Sequence, residues 1–246
     1  MAGMSGSPST PPPSPLRLSV LVGCYGGWPG YSIRAVESLI NHCTSRERLD
    51  IYVGCNESSP EILAVLRAHL DAGKISALVE SRRNINKDPM MRVLLELCET
   101  EYMLWLDDDS HVLPGWDEHV LRFIETQQPL DCAGHVFFIS DRSPEYAEFL
   151  RTRPWYVSRE REKEPIWFAT GGLFVARAAW LRQHDFPDRA MVKKQDDILF
   201  GDLLQQQDGV LKDFATDRGL MDRIRISDGT RRGSGEGRDG WRTTPG

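Results

Sequence analysis

Short apolar runs rich in β-branched residues alternate along this chain with longer stretches in which apolar positions recur every three to four residues. The first kind of run is the length of a buried strand, and the second buries one face of a helix. Residues 18–24 predict a first strand, followed by the loop Tyr25-Gly26-Gly27-Trp28-Pro29-Gly30 and a helix with Ile33, Val36, Leu39 and Ile40 on one face. Residues 49–55 predict a second strand. After Asn56-Glu57-Ser58-Ser59-Pro60, a serine cap and a proline in the first turn start a helix carrying Ile62, Leu63, Leu66 and Leu70. A third strand is expected at 74–79, a helix from about Pro89 to Cys98, and a strand at 102–106 that runs straight into Asp107-Asp108-Asp109. Strands alternating with helices in this way predict an α/β domain with a mostly parallel sheet covered by helices.

The ends of the chain lack this pattern. Residues 1–15 are rich in proline and serine and 227–246 in glycine and charge, so neither has apolar anchors to offset the entropy of ordering. The expectation is a disordered leader at 1–15, one folded domain over 16–226 and a flexible tail at 227–246. No run approaches the length of a membrane-spanning helix. The formal charge of -6 over 246 residues argues against a general nucleic-acid or anionic-membrane binder. Five cysteines without CxxC spacing suggest neither a disulfide framework nor a zinc site, and predict reduced thiols in a cytoplasmic protein.

Ligands of α/β sheets bind at the carboxyl ends of the strands, where the aspartate triplet sits. Three adjacent carboxylates repel one another, and their simplest justification is a bound cation with oxygen ligands, Mn²⁺ or Mg²⁺. A solvated acidic turn is the plainer alternative, and the buried strand that abuts the triplet weighs against it. A second cluster joins Trp167-Phe168-Ala169-Thr170-Gly171-Gly172 to Gln195-Asp196-Asp197. The paired glycines let backbone approach a ligand or mark a bend in a buried strand. The acidic pair supplies a base or caps a helix.

The stretch EYMLWLDDDSHVLPGWDEHV resembles the strand, DxD motif and Pro-Gly-Trp segment of GT-A glycosyltransferases, in particular the family 2-like members, and SVLVGCYGGWPGYSIRAVESL is similar to their first strand and nucleotide-binding loop. The resemblance implies a GT-A, Rossmann-like fold and sugar transfer from a nucleoside diphosphate donor to an acceptor hydroxyl, by an inverting step with a carboxylate base. It places metal ligation on Asp107 and Asp109. Donor contacts fall on Tyr25, Asn56, Glu57, Arg83, Asn86, Arg92, Asp107, Asp108, Gly171, Gly172 and Arg231. The base falls on Asp197, with Asp196 beside it, and acceptor contacts on Trp167 and Trp155. The donor is expected to be a UDP-sugar first, with GDP- and dTDP-sugars also open, and the acceptor a glycan, lipid carrier, protein or hydroxylated nucleobase. The charged segment 141–165 reads equally as an acceptor-facing lid or an amphipathic helix. The sequence departs from the family in lacking a late histidine, for which Asp217, Asp222 or Asp228 could substitute. Two rivals stay open: a sugar nucleotidyltransferase of related fold and a degenerate nucleotide-sugar binding module.

Overall fold

The computed structural model describes residues 15–188, 196–226 and 242–243. Its first part is a run of parallel units: β1 (Leu18–Tyr25), α1 (Pro29–Asn41), β2 (Leu49–Asn56), α2 (Pro60–Asp71), β3 (Ala77–Ser81), α3 (Lys87–Glu96) and β4 (Tyr102–Asp107). A short β5 (His111–Val112) and α4 (Trp116–Thr126) lead to β6 (Cys132–Ile139), α5 (Pro144–Arg151), β7 (Ile166–Arg177) and α6 (Ala178–Gln183). The remainder is α7 (Asp196–Gln206), β8 (Leu211–Asp213), α8 (Arg218–Met221), β9 (Ile224–Arg225) and β10 (Arg242–Thr243). The main sheet runs β10-β6-β7-β4-β1-β2-β3, with β8 against β6, and β5 pairs β9 separately. β1 through β4 are parallel to one another, whereas β7 is antiparallel to both β4 and β6.

Alternation along each central strand feeds two cores. Val20, Val22, Leu104, Leu106, Leu173 and Val175 face the layer of α1, α2, α4 and α8, while Leu21, Met103, Trp105, Phe174 and Ala176 face the layer of α3, α6 and α7. Strands buried on both faces need apolar residues at nearly every position, which is why these runs stand out in the sequence.

Two expected boundaries move. The third strand begins at Ala77, not at residue 74, because Lys74 N–H bonds back to His69 O at 2.8 Å and Ser76 N–H to Ile51 O at 2.7 Å, so this stretch closes off α2. The helix expected from Pro89 begins two residues earlier, at Lys87, behind Asn86 with a φ of 73°. Within α1 the buried face is Ser32, Ala35, Val36, Ser38 and Leu39, so Ile33 lies off it, and in α2 Leu70 is exposed. All five cysteines are free. No helix among the described residues is long and apolar enough to cross a membrane.

Candidate active site

β1, β2 and β4 end together, with Gly23 in register with Asp107 and Tyr25 with Asn56, so their carboxyl ends bring three sequence segments to one place. The cavity there measures ≈ 260 Å³ and is lined by Gly23, Tyr25, Asn56, Asn84, Asn86, Lys87, Met90, Trp105, Asp107, Asp108 and Asp109. Trp105 forms part of its wall because position 23 has no side chain: a Cβ there would meet the indole Cη2 at 3.0 Å. The indole then points Nε1–H at Asp107 Oδ1, 2.7 Å away.

The three aspartates do different things. Asp107 receives the Trp105 hydrogen bond and an ion pair from Lys87, whose Nζ lies 3.0 Å from Oδ1 and 3.2 Å from Oδ2. Asp108 is turned inward and 2% exposed; its Oδ2 accepts from the Ser32 hydroxyl at 2.6 Å and from Tyr25 N–H at 3.1 Å. It therefore fastens the loop after β1 to α1 while also lining the cavity. Asp109 is half-buried on the cavity wall. Among the described residues no group of three or more His, Cys, Asp or Glu is placed to hold a metal ion. Asp107 and Asp109 offer hard carboxylate oxygens to the same cavity, a donor set that suits Mn²⁺ or Mg²⁺ when phosphate and water complete the shell.

Asn56 is buried and spends its amide on the facing loop: Nδ2 donates to Asn84 Oδ1 at 3.0 Å and to Asn86 O at 3.1 Å, and Oδ1 accepts from Ile85 N–H at 2.7 Å. It shapes the cavity by holding the 84–86 loop. Asn86 lines the cavity at a positive φ, a conformation asparagine tolerates better than most residues. Tyr25 stands exposed at the rim.

The second predicted cluster reaches the same place through β7. Gly134 of β6 pairs with Phe174 and Val136 with Ala169, so Thr170 to Leu173 stand opposite His135 alone. This bulge carries the paired glycines out of the ladder, as bulges beside functional sites commonly do. Gly171 O accepts from Lys87 Nζ at 3.1 Å, and Gly171 N–H makes a long 3.4 Å contact with Asp197 Oδ2 at the start of α7. Gly172 answers a different need: a Cβ there would meet Ile226 Cγ2 at 2.6 Å, so the chain itself fills that space.

Other expected residues lie elsewhere. Glu57 and Arg83 are exposed and do not line the cavity, and Glu57 takes a φ of 57° in the turn after β2. Arg92 is turned away, donating to Pro187 O at 2.7 Å and pairing with Asp185. Trp155 is packed in the core beneath α7, which corrects its assignment to an acceptor surface. Trp167 is 43% exposed and lies against Phe138 with ring centroids 5.0 Å apart. Asp217 caps α8 by accepting from Leu220 N–H at 3.0 Å. Arg231, Asp228 and the side chain of Asp196 lie outside the described residues. Asn84, Lys87, Met90 and Trp105 line the cavity without having been expected there, although the first three follow one another closely in the segment ESRRNINKDPMM.

A larger cavity of ≈ 630 Å³ flanks α1 and includes Arg34, His42 and His111, sharing no lining residue with the first. Burial lowers the His111 pKa, and the nearby cations Arg34 and Arg225 lower it further.

The profile described as Glycosyl transferase family 2 matches residues 19–185, more than half of the chain. The chain belongs to glycosyl transferase family 2. No curated protein sequence matches it. Among solved structures this family 2 chain is similar in fold to residues 1–349 of S. aureus TarS, with a TM-score of 0.61 at 13% identity over 87% of this chain and 61% of that one. It is also similar to TarS 1–349 in complex with UDP, with a TM-score of 0.55 at 19% identity over 76% and 54% of the two chains. A third is GalNAc-T7 with UDP, GalNAc and Mn²⁺, with a TM-score of 0.59 at 15% identity over 81% and 42%. The chain thus spans less than two thirds of each of these structures. They share with it the GT-A arrangement of a mostly parallel sheet flanked by helices.

Proposed function

We propose that this chain moves a glycosyl unit from a nucleoside diphosphate sugar to an acceptor hydroxyl with inversion. The observation that carries the reading is the meeting of the two acidic clusters at Gly171, whose carbonyl touches the cation paired with Asp107 and whose N–H faces Asp197. Asp107 and Asp109 would hold the divalent ion, which supplies positive charge against the departing diphosphate. Asp197 takes the proton of the acceptor hydroxyl as its oxygen attacks the anomeric carbon. The bond from that carbon to the diphosphate oxygen breaks, and the nucleoside diphosphate leaves with the electron pair. Asp196 stands next to it in the chain as the companion carboxylate. Tyr25 at the rim and the 84–86 loop held by Asn56 form the nucleotide side of the cavity, and exposed Trp167 offers a stacking face to a sugar acceptor. The UDP complexes of TarS and GalNAc-T7, and the Mn²⁺ in the latter, support a UDP-sugar and a divalent metal.

Thermal shifts with UDP, GDP and dTDP and their sugars, with and without Mn²⁺, test the reading, since a ligand of the folded state raises the melting temperature. One nucleotide should give a metal-dependent shift that Asp109→Asn removes. Asp197→Asn should keep the shift and lower transfer by about 10²- to 10⁴-fold. Full transfer by Asp197→Asn would move the base elsewhere, and the absence of any nucleotide shift would sink the transferase reading.

A further inference from the structure

Lys87 occupies a position that the metal-and-base reading does not use. Its Nζ lies within 3.2 Å of both Asp107 oxygens and 3.1 Å from Gly171 O, and 5.7 Å from the centroid of the Trp105 ring. Asp107 is thereby already neutralised by a cation of the protein's own, fixed at the first turn of α3 behind Asn86. A divalent ion that uses Asp107 meets that charge at the same carboxylate, and two cations on one carboxylate repel each other.

We propose that Lys87 is an internal counter-cation that guards Asp107 against a metal ion arriving alone and yields when the ion comes with the donor's diphosphate. The inference rests on the transferase reading. The diphosphate gives the lysine a second anionic partner inside the same cavity, so releasing Asp107 no longer strands an ammonium group. Metal and nucleotide then bind with positive coupling, each strengthening the other by the same factor. Lys87 positions the metal ligand in the empty site and becomes a donor contact in the filled one.

The test measures Mn²⁺ binding to the full chain by calorimetry, first without nucleotide and then with saturating UDP, in wild type and in Lys87→Met and Lys87→Gln. Glutamine can still donate to Gly171 O, so it keeps the test alive if methionine disturbs the fold. Both variants should bind Mn²⁺ about tenfold more tightly than wild type without nucleotide, and UDP should tighten Mn²⁺ binding less in them than in wild type. Equal Mn²⁺ affinity in all three proteins without nucleotide, or no Mn²⁺ binding to any of them, overturns the proposal. A wild type that never binds UDP would instead break the transferase reading, while the Mn²⁺ comparison without nucleotide still decides whether Lys87 shields Asp107.

Discussion

Buried carboxylates are satisfied in two different ways on the two sides of this molecule. On the side of the parallel strands, Asp108 takes the Ser32 hydroxyl and Tyr25 N–H, and Asp117 takes Ser45 N–H at 2.6 Å and Thr44 N–H at 2.9 Å. On the side of β6 and β7, Asp202 of α7 takes Arg142 Nε at 3.0 Å and the Tyr146 hydroxyl at 2.7 Å, and Asp188 takes Arg153 at 3.0 Å. Neutral donors fix a loop to its neighbour. Arginine pairs instead tie segments distant in the chain, Arg142 to α7 and Arg153 to Asp188, beside the apolar cluster that Leu150 and Trp155 share with α7. Burial raises the pKa of Asp202, and the Arg142 hydrogen bond opposes that rise; burial and the Asp202 charge both raise the pKa of Tyr146. The donor cavity thus stands on a hydrophobic frame, while the helix bearing Asp197 adds a buried charge pair at Asp202 to the apolar packing of Leu199, Phe200, Leu203 and Leu204.

The contrast can be broken by variants whose effects should fall in order. Arg142→Met strands the Asp202 carboxylate in the interior and should cost about 3–5 kcal/mol in urea unfolding, with much of it recovered when Asp202→Leu is added. Failure to recover would mean that the pair specifies the fold in addition to balancing charge. Asp117→Ala removes an acceptor for neutral donors, the Thr44 and Ser45 N–H groups and the Thr44 hydroxyl, and should cost about 1–3 kcal/mol. A larger loss there than for Arg142→Met would reverse the comparison. The smallest effect belongs to Arg151, whose hydrogen bond holds the Glu162 carboxyl below its ordinary value of 4.5. A lowered carboxyl stabilises the fold above its unfolded-state pKa and loses that contribution as pH falls through the folded one. The melting-temperature difference between wild type and Arg151→Gln should therefore be present at neutral pH and shrink below about pH 4.5.

The parallel side was legible because β1, β2 and β4 are buried on both faces and so read as unbroken apolar runs ending at a common edge. The same logic found the Asp107–Asp109 turn, while the acidic pair at the start of α7 was legible through the family resemblance. It could not separate Asp108 from its neighbours, since inward and outward carboxylates look alike in a string of letters. The short β5, β8 and β9 depend on partners far along the chain and carry no local period. Arg83 and Arg92 drew attention as donor contacts, yet Arg92 is consumed by the turn at 185–187, and Lys87, which lines the cavity, stands at the start of α3, two residues before Pro89. Trp155 looked like a sugar platform when only its side-chain type was known. Its burial follows from how the segment after α5 folds under α7, where Gln207 donates to Trp155 O at 2.5 Å.

Trp105 has one consequence outside chemistry. Its indole is 1% exposed, bonded through Nε1 to Asp107, with the Lys87 ammonium facing the ring. An excited indole shifts charge across its rings, so its emission colour responds to any ion moved within a few ångströms. The difference spectrum between wild type and Trp105→Phe would therefore be an optical gauge of cavity occupancy, readable in real time without a label.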